Sequence, residues 1–124
     1  MAKESIKLAG QSGLAIAASV EGASDGMPVI LAHGGGQTHR AWKRVSTLLA
    51  SHGFHAIALD LRGHGNSEWA KDGAYDIADF AGDLIAIAAR LERKPALIGA
   101  SLGGLAGIMA EGHLAPGSFA SLTL

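Results

Sequence analysis

The sequence predicts an α/β fold: a mostly parallel sheet with helices on both of its faces. Two observations carry that prediction. Short apolar runs alternate with stretches of helical periodicity, in the order strand, helix, strand, helix, strand, helix, strand. The glycines, 18 in 124 residues and about twice the ordinary share, gather just after three of those apolar runs. The clusters are His33–Gly36, Gly63–Gly65 and the stretch from Gly99 to Gly107. In such folds the loops at the C-terminal ends of parallel strands carry the chemistry, and glycine lets backbone approach closely there.

Each element follows from its residues. Glu4 to Ala9 and Leu14 to Val20 flank Gly10-Gln11-Ser12-Gly13, which predicts a hairpin of two short strands. Val29 to Ala32 is short, continuous and apolar, as a strand buried on both faces requires. A helix is expected from Thr38 or His39, with Trp42, Val45, Leu48 and Leu49 at helical spacing and Gly53 closing it. Phe54 to Leu59 predicts the next buried strand, and Asp60 to Ser67 a polar, glycine-rich loop. Asp76 to Leu91 places Ile77, Phe80, Leu84, Ile87, Ala88 and Leu91 on one face of a helix. Pro95 to Ala100 predicts a strand, Leu102 to Glu111 a helix of small residues, and Phe119 to Leu124 a further strand.

The bulk numbers narrow the function classes. At 124 residues the chain is read as one domain, residues 1–124. A net charge of −1, with no basic run or acidic tail, gives no reason to expect nucleic acid or an anionic membrane as a partner. The absence of cysteine removes disulfides, thiolate catalysis and cysteine zinc sites together. Met1 to Gly10 lacks the apolar core of a secretory signal, and Leu14 to Val20 is too short to span a bilayer. A cytoplasmic protein is the expectation.

Three motifs carry chemistry. Gly99-Ala100-Ser101-Leu102-Gly103 has the spacing G-x-S-x-G between an apolar strand and a helix. A strand that turns into a helix within a residue forces Ser101 into a strained conformation, and small residues two before and two after let neighbouring backbone pass. The serine hydroxyl is then held out above the sheet. A serine that merely caps the helix is the plainer alternative. His33-Gly34-Gly35-Gly36 offers unblocked backbone N–H groups to a developing oxyanion. It lacks the Gly-Lys-Ser/Thr of a phosphate loop, and His33 reads as a structural residue beneath the turn. Gly63-His64-Gly65 begins like a dinucleotide fingerprint but lacks the third glycine and a following helix. His39, His52, His55 and His113 have no metal-ligand spacing and read as surface or capping residues.

The third motif, Asp60-Leu61-Arg62-Gly63-His64-Gly65-Asn66-Ser67, resembles the D-x-R-G-x-G-x-S loop of the α/β-hydrolase family. It stands between His-Gly-Gly-Gly and Gly-Ala-Ser-Leu-Gly-Gly, in that family's order. The resemblance implies the N-terminal portion of an α/β-hydrolase fold, without its later strands and lid. It implies that Ser101 is the nucleophile, and that Leu102 and Gly35 supply the two oxyanion-hole amides. Gly36 stands as the alternative to Gly35, since the triple glycine leaves the register open. Arg62 and His64 would brace the loop. The family's acid and histidine follow the serine along the chain, and Glu111 and His113 lie too far along the nucleophile's own helix to serve.

The expected activity is hydrolysis of a carboxylic ester or related small-molecule acyl compound through an acyl-enzyme on Ser101. No metal or organic cofactor is implied. Serine at the elbow, where the dehalogenase and epoxide hydrolase branches carry aspartate, leaves esterases, lactonases, C–C bond hydrolases and cofactor-free perhydrolases open. Without an acid and a base, the 124 residues alone are expected to be inactive, unless a second chain carries the missing half. The rival reading is a non-catalytic, truncated paralogue or scaffold of the same fold.

Overall fold

A computed structural model describes residues 3–124 of the chain. Met1 and Ala2, part of the segment read for a secretory signal, lie outside the described residues. Six strands form one sheet: β1 (Glu4–Ala9), β2 (Ala15–Glu21), β3 (Pro28–Ala32), β4 (His55–Leu59), β5 (Ala96–Gly99) and β6 (Ser121–Thr123). Their spatial order is β1-β2-β4-β3-β5-β6. The β1–β2 and β2–β4 pairs are antiparallel, and the β4–β3, β3–β5 and β5–β6 pairs are parallel. The predicted α/β architecture is therefore present, with an antiparallel hairpin added at one edge.

Strand alternation sorts the core into two layers. Ile30, Ala32, Ile57, Leu59 and Leu97 point to one side, where α2 (Ile77–Ala89) and α3 (Leu102–Met109) cover them with Phe80, Leu84, Ile87 and Ala106. Val29, Leu31, Ala56 and Ala58 point to the other, where α1 (Lys43–Ser51) and the turn before it bring Trp42, Val45 and Leu49. β3 is thus buried on both faces, as its unbroken apolar run requires.

Several boundaries depart from the sequence expectation. The first helix opens as a tight turn, His39–Trp42, with the Thr38 hydroxyl accepting from the Arg40 N–H at 3.3 Å. α2 starts where predicted: the Asp79 carboxylate accepts the Asp76 N–H at 3.0 Å. The helix expected through Glu111 ends at Met109 and widens into a π turn over Ala110–Leu114. The last strand begins at Ser121 rather than Phe119. Glu111 accounts for this, since its carboxylate accepts from Gly117 N–H (2.5 Å) and Phe119 N–H (2.9 Å) and holds that stretch as a turn. The same two bonds, Gly117 first, keep the Glu111 carboxyl below the usual range.

Candidate active site

The parallel strands β4, β3 and β5 all end on one side of the sheet, and the three glycine-rich segments leave from those ends. β3 sits between the other two, so the His33–Gly36 turn lies between the Asp60 loop and the Ser101 elbow.

The elbow is built by exclusion. Ser101 takes φ +52° and ψ −113°, a left-handed conformation that non-glycine residues rarely adopt. A Cβ on Gly99 would stand 2.6 Å from the Gly103 carbonyl oxygen, and one on Gly103 would stand 2.2 Å from the Ala32 carbonyl oxygen. Only glycine fits at either position, so the spacing read from the sequence has a direct steric cause. Two further bonds clamp the elbow to β3: Ala100 N–H donates to Ala32 O (3.0 Å) and Gly103 N–H to His33 O (3.1 Å). Ser101 itself is exposed, and its hydroxyl has no hydrogen-bond partner among the described residues.

The glycine turn lies against the elbow. A Cβ on Gly34 would be 3.5 Å from the Ser101 Cβ, and one on Gly35 would be 3.9 Å from the Leu102 side chain. Two of the turn's three amides are occupied. Gly34 N–H donates to Gln37 Oε1 and Gly36 N–H to His64 Nε2, each at 3.0 Å. The Gly35 N–H has no acceptor among the described residues. The Leu102 N–H, in the first turn of α3, has none either. Of the two registers the sequence left open, the Gly36 amide is the one already engaged.

His33 is fully buried: Nδ1 is 2.7 Å from Gly34 O, and Nε2 accepts the Leu61 N–H at 2.9 Å. Those partners fix a neutral ring with its proton on Nδ1. Burial, then the neighbouring His64 and His39, lowers its pKa despite the Gly34 bond. It supports the turn, as the sequence reading expected.

The Asp60–Ser67 loop is built by bonding. Buried Asp60 accepts from His39 N–H (2.7 Å), His39 Nδ1 (2.8 Å) and Asn66 N–H (3.0 Å). Burial alone would raise its pKa, but these bonds outweigh that effect and hold the carboxyl below its ordinary value. Arg62 makes a two-pronged ion pair with Asp83 of α2, Nε to Oδ2 at 2.7 Å and an Nη to Oδ1 at 2.8 Å, and its other Nη reaches Ala74 O at 2.8 Å. The bonds to Asp83 push the guanidinium pKa higher still. Ser67 Oγ donates to Asp60 O and accepts the Ala17 N–H at 2.8 Å. His64 Nδ1 lies 2.9 Å from Arg62 O.

Sequence reasoning missed two residues here. Asp83 lies on the buried face of α2, where a charge reads as solvated unless its partner is known. His39, read as surface or capping, is a half-buried partner of Asp60. The one available signal was that Asp83 interrupts the run from Phe80 to Leu84. His52 fits the capping reading, with Nδ1 2.9 Å from Leu48 O.

Beside Ser101 lies an open, mainly apolar hollow of about 620 Å³, lined by Trp42, Ile98, Leu105, Ile108 and Leu124. Trp42 Nε1 is buried without an acceptor among the described residues. Among the described residues no group of three or more His, Asp or Glu is placed to hold a metal ion, and no helix is long and apolar enough to cross a membrane.

Comparison with known proteins decides the family, because residues 29–123 match the Alpha/beta hydrolase family. The chain belongs to that family. Over 84 residues it is 37% identical to a non-heme chloroperoxidase of Streptomyces lividans, covering 67% of this chain and 30% of that protein. Over 83 residues it is 40% identical to an esterase of Mycobacterium tuberculosis, covering 64% and 26%. Epoxide hydrolase A from Mycobacterium thermoresistibile superposes with a TM-score of 0.87 at 27% identity, covering 98% of this chain and 38% of that one. The α/β-hydrolase chain described here thus spans between 26% and 38% of the length of these relatives.

Proposed function

We propose that the protein carrying these residues is a serine hydrolase that cleaves a carboxylic ester or related acyl bond through an acyl-enzyme on Ser101. The observation that carries this reading is the elbow. An exposed serine is held at φ +52° by backbone that admits only glycine on either side, and a Cβ added to Gly34 in the neighbouring turn would come within 3.5 Å of the Ser101 Cβ. Protein rarely keeps such strain without a use for it.

In this mechanism the Ser101 hydroxyl attacks the carbonyl carbon and loses its proton to a general base. The oxygen that gains charge is received by the N–H groups of Gly35 and Leu102, neither of which has another acceptor among the described residues. Each such donor is typically worth about 10²–10³ in rate. The tetrahedral intermediate collapses, the alcohol or other leaving group departs with a proton, and water then releases the acid from the serine. The hollow lined by Leu105 and Ile108 suits the apolar part of the acyl group. His33 and His64 have both ring nitrogens engaged, and His39 is bound to Asp60. The base is therefore assigned to residues beyond these 124, on the same chain or a second one.

The test is chemical. A fluorophosphonate probe applied to the full-length protein is expected to modify Ser101, and Ser101→Ala is expected to abolish modification. Ester turnover should fall at least about 10⁴-fold in that variant. Equal labelling of wild type and Ser101→Ala, or no labelling of either, would remove the reading in favour of a non-catalytic member of the fold.

A further inference from the structure

We infer that His64, in its neutral form, is a positioning residue for the oxyanion turn: its Nε2 occupies the Gly36 amide and so leaves Gly35 as the turn's open donor. This rests on the reading of Ser101 and Gly35 given above.

The geometry is a relay of constraints. Asp83 fixes Arg62 through two bonds, and Ala74 O fixes it through a third. The Arg62 carbonyl oxygen accepts a hydrogen bond from His64 Nδ1–H, 2.9 Å away. With that proton placed, Nε2 presents a lone pair, and the Gly36 N–H donates to it at 3.0 Å. His33 packs against the same ring with centroids 5.0 Å apart, and Phe80 of α2 meets it edge-on at 6.4 Å. The ring is thus held on three sides. A three-glycine turn has little to hold its shape and three amides to offer. Bonds to Gln37 and His64 take two of them.

The arrangement works in one protonation state only. A second proton on His64 would turn Nε2 into a donor facing the Gly36 N–H, and one of the two groups would have to leave. The titratable groups around the ring are His33 from the end of β3 and, in its own loop, Asp60 and Arg62. α2 contributes Asp83 behind Arg62. His33 is itself locked as a neutral Nδ1–H ring, and among the described residues no carboxylate is paired with His64.

Two measurements on the full-length protein test this. The first is the rate at which a fluorophosphonate modifies Ser101, followed across roughly pH 5–8, where histidines titrate. His64→Ala is expected to slow labelling about 10- to 100-fold, the scale of a misplaced donor. His64→Gln, whose amide oxygen accepts the same N–H without titrating, should restore most of the rate and remove one proton from the acid limb. A purely structural role predicts no such change in proton count. The second is NMR of the Gly36 amide, which should move with the His64 ring as pH falls. Labelling unaffected by His64→Ala, an acid limb unchanged by His64→Gln, or a Gly36 amide blind to His64 would each overturn the inference. If Ser101 is not labelled even in wild type, the hydrolase reading fails, and the NMR titration still decides whether His64 holds Gly36.

Discussion

The Ser101 elbow and the Asp60–Ser67 loop leave strands on either side of β3, yet they are held by opposite means. The elbow is fixed by what is missing: side chains at Gly99 and Gly103 would overlap carbonyl oxygens. The loop is fixed by what is present: a buried ion pair, a carboxylate with three donors and a serine bonded at both ends. A sterically defined turn keeps one shape under all conditions. A bonded loop depends on charge state and on every partner being in place.

The largest effect that would sharpen this contrast is loss of one ion-pair partner. Asp83→Ala leaves the Arg62 guanidinium buried without its carboxylate, and a loss of about 3–5 kcal/mol is expected in urea unfolding. The double variant Arg62→Met, Asp83→Leu should recover most of it, because the uncompensated charge is gone. A small cost for Asp83→Ala would mean that the loop is held some other way.

Next comes the elbow. Gly103→Ala should cost about 3 kcal/mol, since its methyl group would press on the Ala32 carbonyl. Gly35→Ala, with only the Leu102 side chain near its Cβ, is the control and should cost less than about 1 kcal/mol. Similar costs for the two would break the steric account.

Acid separates the regions in a third way. His33 binds its proton less readily folded than unfolded, so its stabilising contribution should decline as pH drops below the ordinary value of 6.5. Asp60 stays ionised more readily folded, so its contribution should decline below the ordinary 3.8. Urea midpoints measured against pH should show both declines, with the lower one reduced in Asp60→Asn. The elbow contains no titratable group and should add nothing to either.

The smallest effect is a gain. Ser101→Gly relieves the left-handed conformation and should raise stability by about 1 kcal/mol, while ending probe labelling. No gain would mean the serine backbone is not strained.

Much of this was legible in the residues alone. Buried parallel strands announce themselves as unbroken apolar runs, and β3, β4 and β5 fall within a residue or two of their predicted spans. The elbow was legible because sterics act over a few neighbouring positions: Gly99, Ser101 and Gly103 state their own requirement. The bonded loop was legible in outline and not in wiring. Arg62 and Asp83 are joined across an intervening loop, and no local pattern announces such a pair. The engagement of the Gly36 amide likewise depends on a distant partner, His64. Glu111 shortened the last strand for the same reason, by bonding forward to Gly117 and Phe119 rather than to solvent.

The strand order has a consequence for how the chain emerges from the ribosome. The hairpin β1–β2 and the strand β3 do not bond to each other; β4 lies between them and pairs with both. A nascent chain that has released β1, β2 and β3 but not β4 therefore holds a hairpin and a separate strand with exposed backbone and nothing to join them. Only when His55–Leu59 clears the exit tunnel can the halves lock, which makes β4 the keystone of synthesis and the preceding interval the time when a chaperone would matter most.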